Sequence, residues 1–131
     1  MMDDQGEKFP CPCCGRRVYE CSPGSSEICP ICYWEDDLVQ LRWPISCSGA
    51  NGVSLIEAQR NYRQVGASES RWKDRVRKPN DGELLDKGWR PIDLRIDSFE
   101  DEDDRLIGWP SDRSVLYWWR DTFWRRTDRV K

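Results

Sequence analysis

The chain contains no histidine. Histidine is the side chain that most often serves as a general base near neutral pH, so Ser-His and Cys-His nucleophile pairs are excluded at once. Catalytic zinc sites that use histidine as a ligand are excluded with them. No apolar stretch resembles a membrane span, and charged residues are 34% of the composition, which argues against a transmembrane protein. Residues 1–30 hold no apolar signal core, because Met1-Met2-Asp3-Asp4-Gln5-Gly6-Glu7 is polar and acidic. The expected compartment is therefore cytoplasmic and reducing. At 131 residues the chain suffices for one modest core, and a single domain over 1–131 is expected.

Against these absences stand seven cysteines, four of them in two C-x-x-C pairs: Cys11 and Cys14 in C-P-C-C-G, Cys29 and Cys32 in C-P-I-C. The 14 residues 15–28 separate the pairs, close to the spacing of a zinc site, if slightly short. In a zinc knuckle two thiolates share one tight turn, proline fixes φ, and backbone N–H groups aim at sulfur. Two facing knuckles close a tetrahedron with Cys11, Cys14, Cys29 and Cys32 as the candidate metal ligands. Gly15 suits a turn that needs positive φ, whereas Tyr33 at the equivalent place does not, so the second knuckle is expected to be less regular.

Zinc is the expected metal, and iron suits the same four-sulfur set. Four thiolates leave no position open for water, so the metal is expected to hold the fold. A thioredoxin-like motif would need one C-x-x-C beside a βαβ pattern, and an odd cysteine count fits a disulfide framework poorly. Cys13, Cys21 and Cys47 remain as spare thiols; Cys13 lies inside the first knuckle and can compete as a ligand.

Net charge is −3, but the sign is blocked along the chain. Basic against acidic residues number 3 to 8 over 1–40, 7 to 2 over 60–79, 4 to 11 over 80–112 and 6 to 2 over 113–131. Such alternation is read first as solvated faces and ion pairing, and second as a charged docking surface.

After the knuckles, Glu35-Asp36-Asp37 is read as a solvated turn, because a calcium loop needs more oxygen ligands at regular spacing. Val39, Leu41 and Trp43 alternate before Pro44 and predict a short half-buried strand. Cys47 to Gly52 is a loop, with Asn51-Gly52 suited to positive φ. Ser54-Leu55-Ile56-Glu57 matches a capping box and starts a helix with an apolar stripe of Leu55, Ala58, Tyr62 and Val65. Arg60 and Arg63 fall on its solvent side, and Gly66 ends it.

The runs F-P-C-P-C-C-G, E-I-C-P-I-C-Y-W-E-D-D and A-N-G-V-S-L-I-E-A-Q-R-N-Y, with Gly66-Ala67, resemble the bacterial cysteine-rich CPCC family over Phe9 to Ala67. The resemblance implies a small metal-binding domain with no established enzymatic activity. It carries Cys11, Cys14, Cys29 and Cys32 over as knuckle cysteines and Cys13 as the family's middle cysteine. The occurrence of members beside polymorphic toxins makes an immunity role an expectation.

Beyond Gly66, Ser68 or Ser70 is expected to cap a short helix through Trp72 and Val76, stopped by Pro79. Arg71, Lys73, Arg75, Arg77 and Lys78 make it the most basic segment. Asn80-Asp81-Gly82 predicts a turn, and an extended stretch from Trp89 through Leu94 and Ile96 follows. Asp97 to Asp104 holds six acids in eight residues and is expected to be exposed. The tail 114–126 fits a helix with Leu116, Trp119 and Phe123 on one face or a hairpin, and its β-branched and aromatic composition favours strand.

The expected fold class is α+β: a small zinc-ribbon-like knuckle portion over 9–67 packed with one capped helix, and a Trp-rich, mainly extended extension over 68–131. A non-catalytic, zinc-stabilised protein-binding module is the expected function, with a basic toxin as partner met by Trp and Arg anchors and acidic blocks. Nucleic-acid binding through residues 60–79 and the aromatic-basic tail is the alternative, opposed by net negative charge and the acids around the knuckles. An enzyme is not expected, for want of a base or nucleophile pair.

Overall fold

The computed structural model of the chain describes residues 8–100 and 108–125. Regular structure starts with β1 (Phe9–Pro10) and β2 (Arg17–Tyr19), which pair antiparallel with Phe9 opposite Tyr19 and Pro10 opposite Arg17. The first cysteine pair occupies the turn between these strands, so the sheet is a stem that presents the knuckle. A second, shorter stem is the antiparallel bridge between Ile28 and Glu35, which brackets the second pair. Strands this short are marginal alone, which is why the cysteine turns and the core beneath them must hold the sheet.

The stretch 38–43 is not a strand. It forms helix α1 (Leu38–Arg42), with the Asp37 carboxylate accepting from the Gln40 amide as N-cap. That cap fixes the first turn, and the three alternating apolar residues are too few to impose a pleat against it. Asp37 also accepts from the Ala50 amide, while Asp36 is buried and accepts from the Ser25 amide and hydroxyl. The acidic triplet is therefore a built corner. The expected positive φ at Asn51-Gly52 is also absent: left-handed backbone falls at Ser26, Tyr33, Gly15, Gly24, Gly66 and Gly88. Asn51 works through its amide instead, bonding both the N–H and the carbonyl of Glu35 and the Gln40 side chain.

Helix α2 (Leu55–Val65) forms where the capping pattern places it, with Ser54 Oγ accepting from the Glu57 amide and Gly66 left-handed at φ 80°. Leu55 and Ala58 are buried and Tyr62 half-buried, but Val65 is exposed, so the stripe ends one turn early. Arg60 and Arg63 face solvent. Gln59 ties the helix to its surroundings: its amide donates to the Pro12 carbonyl, and its oxygen accepts from the Ile92 amide.

The second half departs most from expectation. Ser70–Arg75 is a 3-10 helix whose cap position is Glu69, without a side-chain cap bond, rather than Ser68 or Ser70. The turn at Asn80 forms, closed by Glu83 N–H to Asn80 O at 3.1 Å. The extended stretch from Trp89 breaks at Asp93, where the Asp97 amide donates back to the Asp93 carbonyl. The tail is neither hairpin nor long helix: Arg113–Leu116 is one 3-10 turn, and the chain folds back so that Trp124 N–H reaches the Val115 carbonyl at 3.0 Å. Its aromatic residues fill a compact knot, which obeys no period.

Leu116, Tyr117, Trp118, Trp119 and Phe123 are buried in the same core as the knuckle cysteines, Ile31, Trp34, Leu41 and Leu55. Most tryptophans of the second half are therefore packing residues; Trp109, at 44%, is the exposed one. The acidic run also proves different where it is described. Glu100 is 7% exposed and paired with Arg42, and Asp97 pairs with Arg90 at 2.6 Å. Asp101 to Asp104 lie outside the described residues, as do Met1 to Glu7 and Arg126. Arg42 is enclosed by the rings of Trp43, Trp109 and Trp124 at 4.4–4.8 Å, which compensates a buried cation with ring quadrupoles as well as a carboxylate.

Candidate metal centre

The two knuckles are built alike. In the first, Cys11 N–H donates to the Arg16 carbonyl and Gly15 N–H to the Cys11 carbonyl; in the second, Cys29 N–H donates to Trp34 and Tyr33 N–H to Cys29, all at 2.7–2.9 Å. Gly15 and Tyr33 occupy the same left-handed position, at φ 83° and 70°. The expectation of a less regular second knuckle is thus wrong. Tyr33 accepts a left-handed cost of about 1–2 kcal/mol because the turn is over-determined by its hydrogen bonds and by its ring, which lies 4.7 Å from that of Trp72. Gly15 has no such freedom. A Cβ there would lie 2.5 Å from Trp89 Cδ2 and 2.9 Å from Leu85 Cδ1.

The knuckles bring together the four sulfurs of Cys11, Cys14, Cys29 and Cys32, all buried and mutually within 4.8 Å. Cys11 and Cys32 sulfurs stand 3.6 Å apart, and those of Cys14 and Cys29 3.8 Å. A tetrahedron with metal–sulfur arms of 2.3 Å has edges of about 3.8 Å, so the cluster has the size and donor type to hold a metal ion. The Ile31 N–H points at Cys29 sulfur at 3.3 Å, the amide-to-sulfur bond of a knuckle turn. All seven cysteines are free of disulfides.

Proton affinity shows what such a cluster needs. Hydrogen bonds with Cys11 and Cys29 push the Cys14 thiol well above its ordinary value, and burial does the same for Cys32. Burial opposes ionisation of Cys29 as well, but hydrogen bonds from Cys11, Cys14 and Cys32 outweigh it and hold that thiol well below the ordinary range. Ionising Cys14 and Cys32 beside Cys29 therefore calls for a cation at the centre. Cys13 is buried beside Cys32, its thiol raised by burial, and lies outside the four-sulfur set. Cys21 and Cys47 are exposed.

Segments of the second half cover both knuckles. Leu85 bridges Arg16, the Arg17 amide donates to the Leu84 carbonyl, and the Asp86 amide donates to the Gly15 carbonyl. On the other side the Ser68 amide donates to the Cys32 carbonyl at 2.7 Å. Asp86 joins the cover to the rest: its carboxylate accepts from Arg17 Nε at 2.9 Å, Trp119 Nε1 at 2.7 Å and two Arg120 nitrogens at 3.0 Å. Burial would raise this carboxyl, but the bonds from Arg120, Trp119 and Arg17 prevail and hold it below its ordinary value. Asp86, Trp89 and the Arg42–Glu100 pair give no signal in the sequence, because their side-chain partners lie 30 to 74 positions away and no local pattern marks them.

Together, paired knuckles, a two-stranded stem and four converging sulfurs define a cysteine-rich protein able to bind a metal ion. The chain belongs to the cysteine-rich CPCC family, whose model matches residues 9–83. That match extends past the capped helix to include the basic 3-10 segment and the turn at Asn80. No curated protein and no solved structure matches the chain.

Proposed function

We propose that the protein is a non-catalytic, zinc-stabilised binding module of zinc-ribbon type that neutralises a basic bacterial toxin in the cytoplasm. The observation that carries the non-catalytic part is the closed centre: Cys11, Cys14, Cys29 and Cys32 are all buried, and four protein ligands leave a tetrahedral metal no position for substrate. Zinc is favoured over iron because such closed four-sulfur sites are most often structural zinc.

The binding part rests on a surface where the second half meets the first. Ile45, Leu94 and Ile96 are 67%, 59% and 69% exposed. They border two adjoining grooves, about 520 and 540 Å³, that share Leu94. Exposed apolar residues gathered round a groove suit a protein contact. The segment 80–112, which supplies Leu94 and Ile96, has 11 acidic against 4 basic residues in sequence, which suits a basic partner and speeds encounter with it.

Nucleic acid is the weaker reading. In the basic segment Arg71 and Arg77 are paired with Glu69 and Glu83, and the Trp72 ring is already in contact with Tyr33 and with Arg71 at 4.3 Å. The test is binding to the purified protein encoded by the neighbouring gene, with Leu94→Asp and Ile96→Asp as groove variants. Binding of the native chain, abolished in those variants, supports the reading; no binding by the native chain ends it. Asp101→Asn, Glu102→Gln and Asp103→Asn together should slow association at low salt, while Glu100 is left in place because it is buried against Arg42.

A further inference from the structure

The left-handed residues of the two knuckles, Gly15 and Tyr33, are equivalent in the turn, and each meets a tryptophan from the second half. The Trp89 ring occupies the space where a Gly15 side chain would stand, and the Trp72 ring packs on Tyr33. Each tryptophan is tethered to its knuckle by backbone. The Trp89 side is held by Asp86 N–H to Gly15 O at 2.8 Å and Trp89 N–H to Asp86 O at 3.0 Å. The Trp72 side is held by Ser68 N–H to Cys32 O and Trp72 N–H to Glu69 O.

A ligand thiolate leaves a metal only when its turn opens, and a ring packed on the outer residue of the turn opposes that opening. Neither ring contributes a ligand atom, and among the described residues the buried Trp89 Nε1 has no hydrogen-bond partner. Its position is therefore not set by a hydrogen bond of its own. We propose that Trp89 and Trp72 are a pair of lids, one on each knuckle, whose local opening sets the rate at which the centre releases and exchanges its metal. The proposal rests on the four-sulfur reading of the centre and adds a role for the second half that binding to a partner does not require. Local opening of this kind proceeds with little exposure of new surface, so it differs measurably from release through global unfolding.

The experiment is metal release from the full-length zinc-loaded chain into excess chromophoric chelator, across urea concentrations below the unfolding transition. Native release should depend only weakly on urea. Trp72→Ala should speed release by up to about tenfold, the scale set by removing one aromatic pairing from the closed state, and Trp89→Ala, which takes the ring off Gly15, should do so by a similar factor. Trp109→Ala, whose ring packs on Trp43 and Arg42 instead, should release at the native rate. Trp89→Phe keeps a ring over Gly15, so it should stay within a few-fold of native; if Trp89→Ala fails to fold, Trp72→Ala decides. Loaded Trp89→Ala and Trp72→Ala both releasing at the native rate, or native release as steep in urea as unfolding itself, overturn the lids while leaving the metal centre intact. A folded native chain that binds no zinc removes the centre itself, and the lids with it.

Discussion

Residues 9–67 and the segment that follows reach one core by opposite means. The first part uses short-range devices: two matched cysteine turns, an Asp37 cap and a Ser54 cap, each closed within a few residues. Among the described residues after 67, the longest regular element is the six-residue 3-10 helix Ser70–Arg75, and the chain is held by distant partners. The contrast is sharpest in two buried aspartates. Asp36 is surrounded by neutral donors, so burial pushes its carboxyl up to about 6 against the Ser25 hydrogen bonds. Asp86 faces two arginines and a tryptophan, and their bonds hold it low despite burial. Burial alone does not fix the charge of an acid; the partners brought from elsewhere do.

The largest expected effect separates ligand from spare thiol. Cys14→Ser should abolish metal binding and with it cooperative folding, because metal affinity in such a site is folding free energy. Cys47→Ser, at an exposed thiol, should stay within about 0.5 kcal/mol of native. Equal melting temperatures for the two variants would break the ligand assignment on which the first part of the comparison stands.

Next comes the junction. Asp86→Ala leaves Arg17, Arg120 and Trp119 without their shared acceptor and should cost about 3 kcal/mol, read by urea unfolding. Asp86→Asn should cost less, since one oxygen still accepts. A loss below about 1 kcal/mol for the alanine variant would mean that the tail is held by aromatic packing alone.

The smallest effect is in the pH dependence. The Asp36 carboxyl is raised in the folded state, so its contribution is fully present below pH about 4 and is lost as pH rises through about 6. Asp86 is lowered, so its contribution is present above pH about 4 and lost as pH falls through its depressed folded value. Asp36→Asn, which keeps an oxygen for Ser25, should therefore stabilise the protein at pH 8 by about 1–2 kcal/mol and have little effect at pH 4. The same gain at both pH values would contradict the assignment.

What can be read from sequence follows the same division. The cysteine pairs and α2 are legible because turn chemistry and caps are local. Helix α1 reads as a strand although Asp37 with Gln40 three residues on is itself a helix-start signal; the alternation of three apolar residues masks it. The side chain of Tyr33 argues against a left-handed backbone, and only the structure shows the hydrogen bonds that force one. The tail's aromatics and Glu100 are beyond reach, since burial there depends on Asp86 and Arg42, far away in sequence.

The most direct test of the central claim, that a closed four-sulfur metal centre staples the fold, is elemental analysis of the purified full-length chain before and after prolonged chelation, with folding followed by circular dichroism. One zinc per chain, and loss of the folded signal as that zinc is removed, is the expected result. A chain that is folded and free of metal would contradict it.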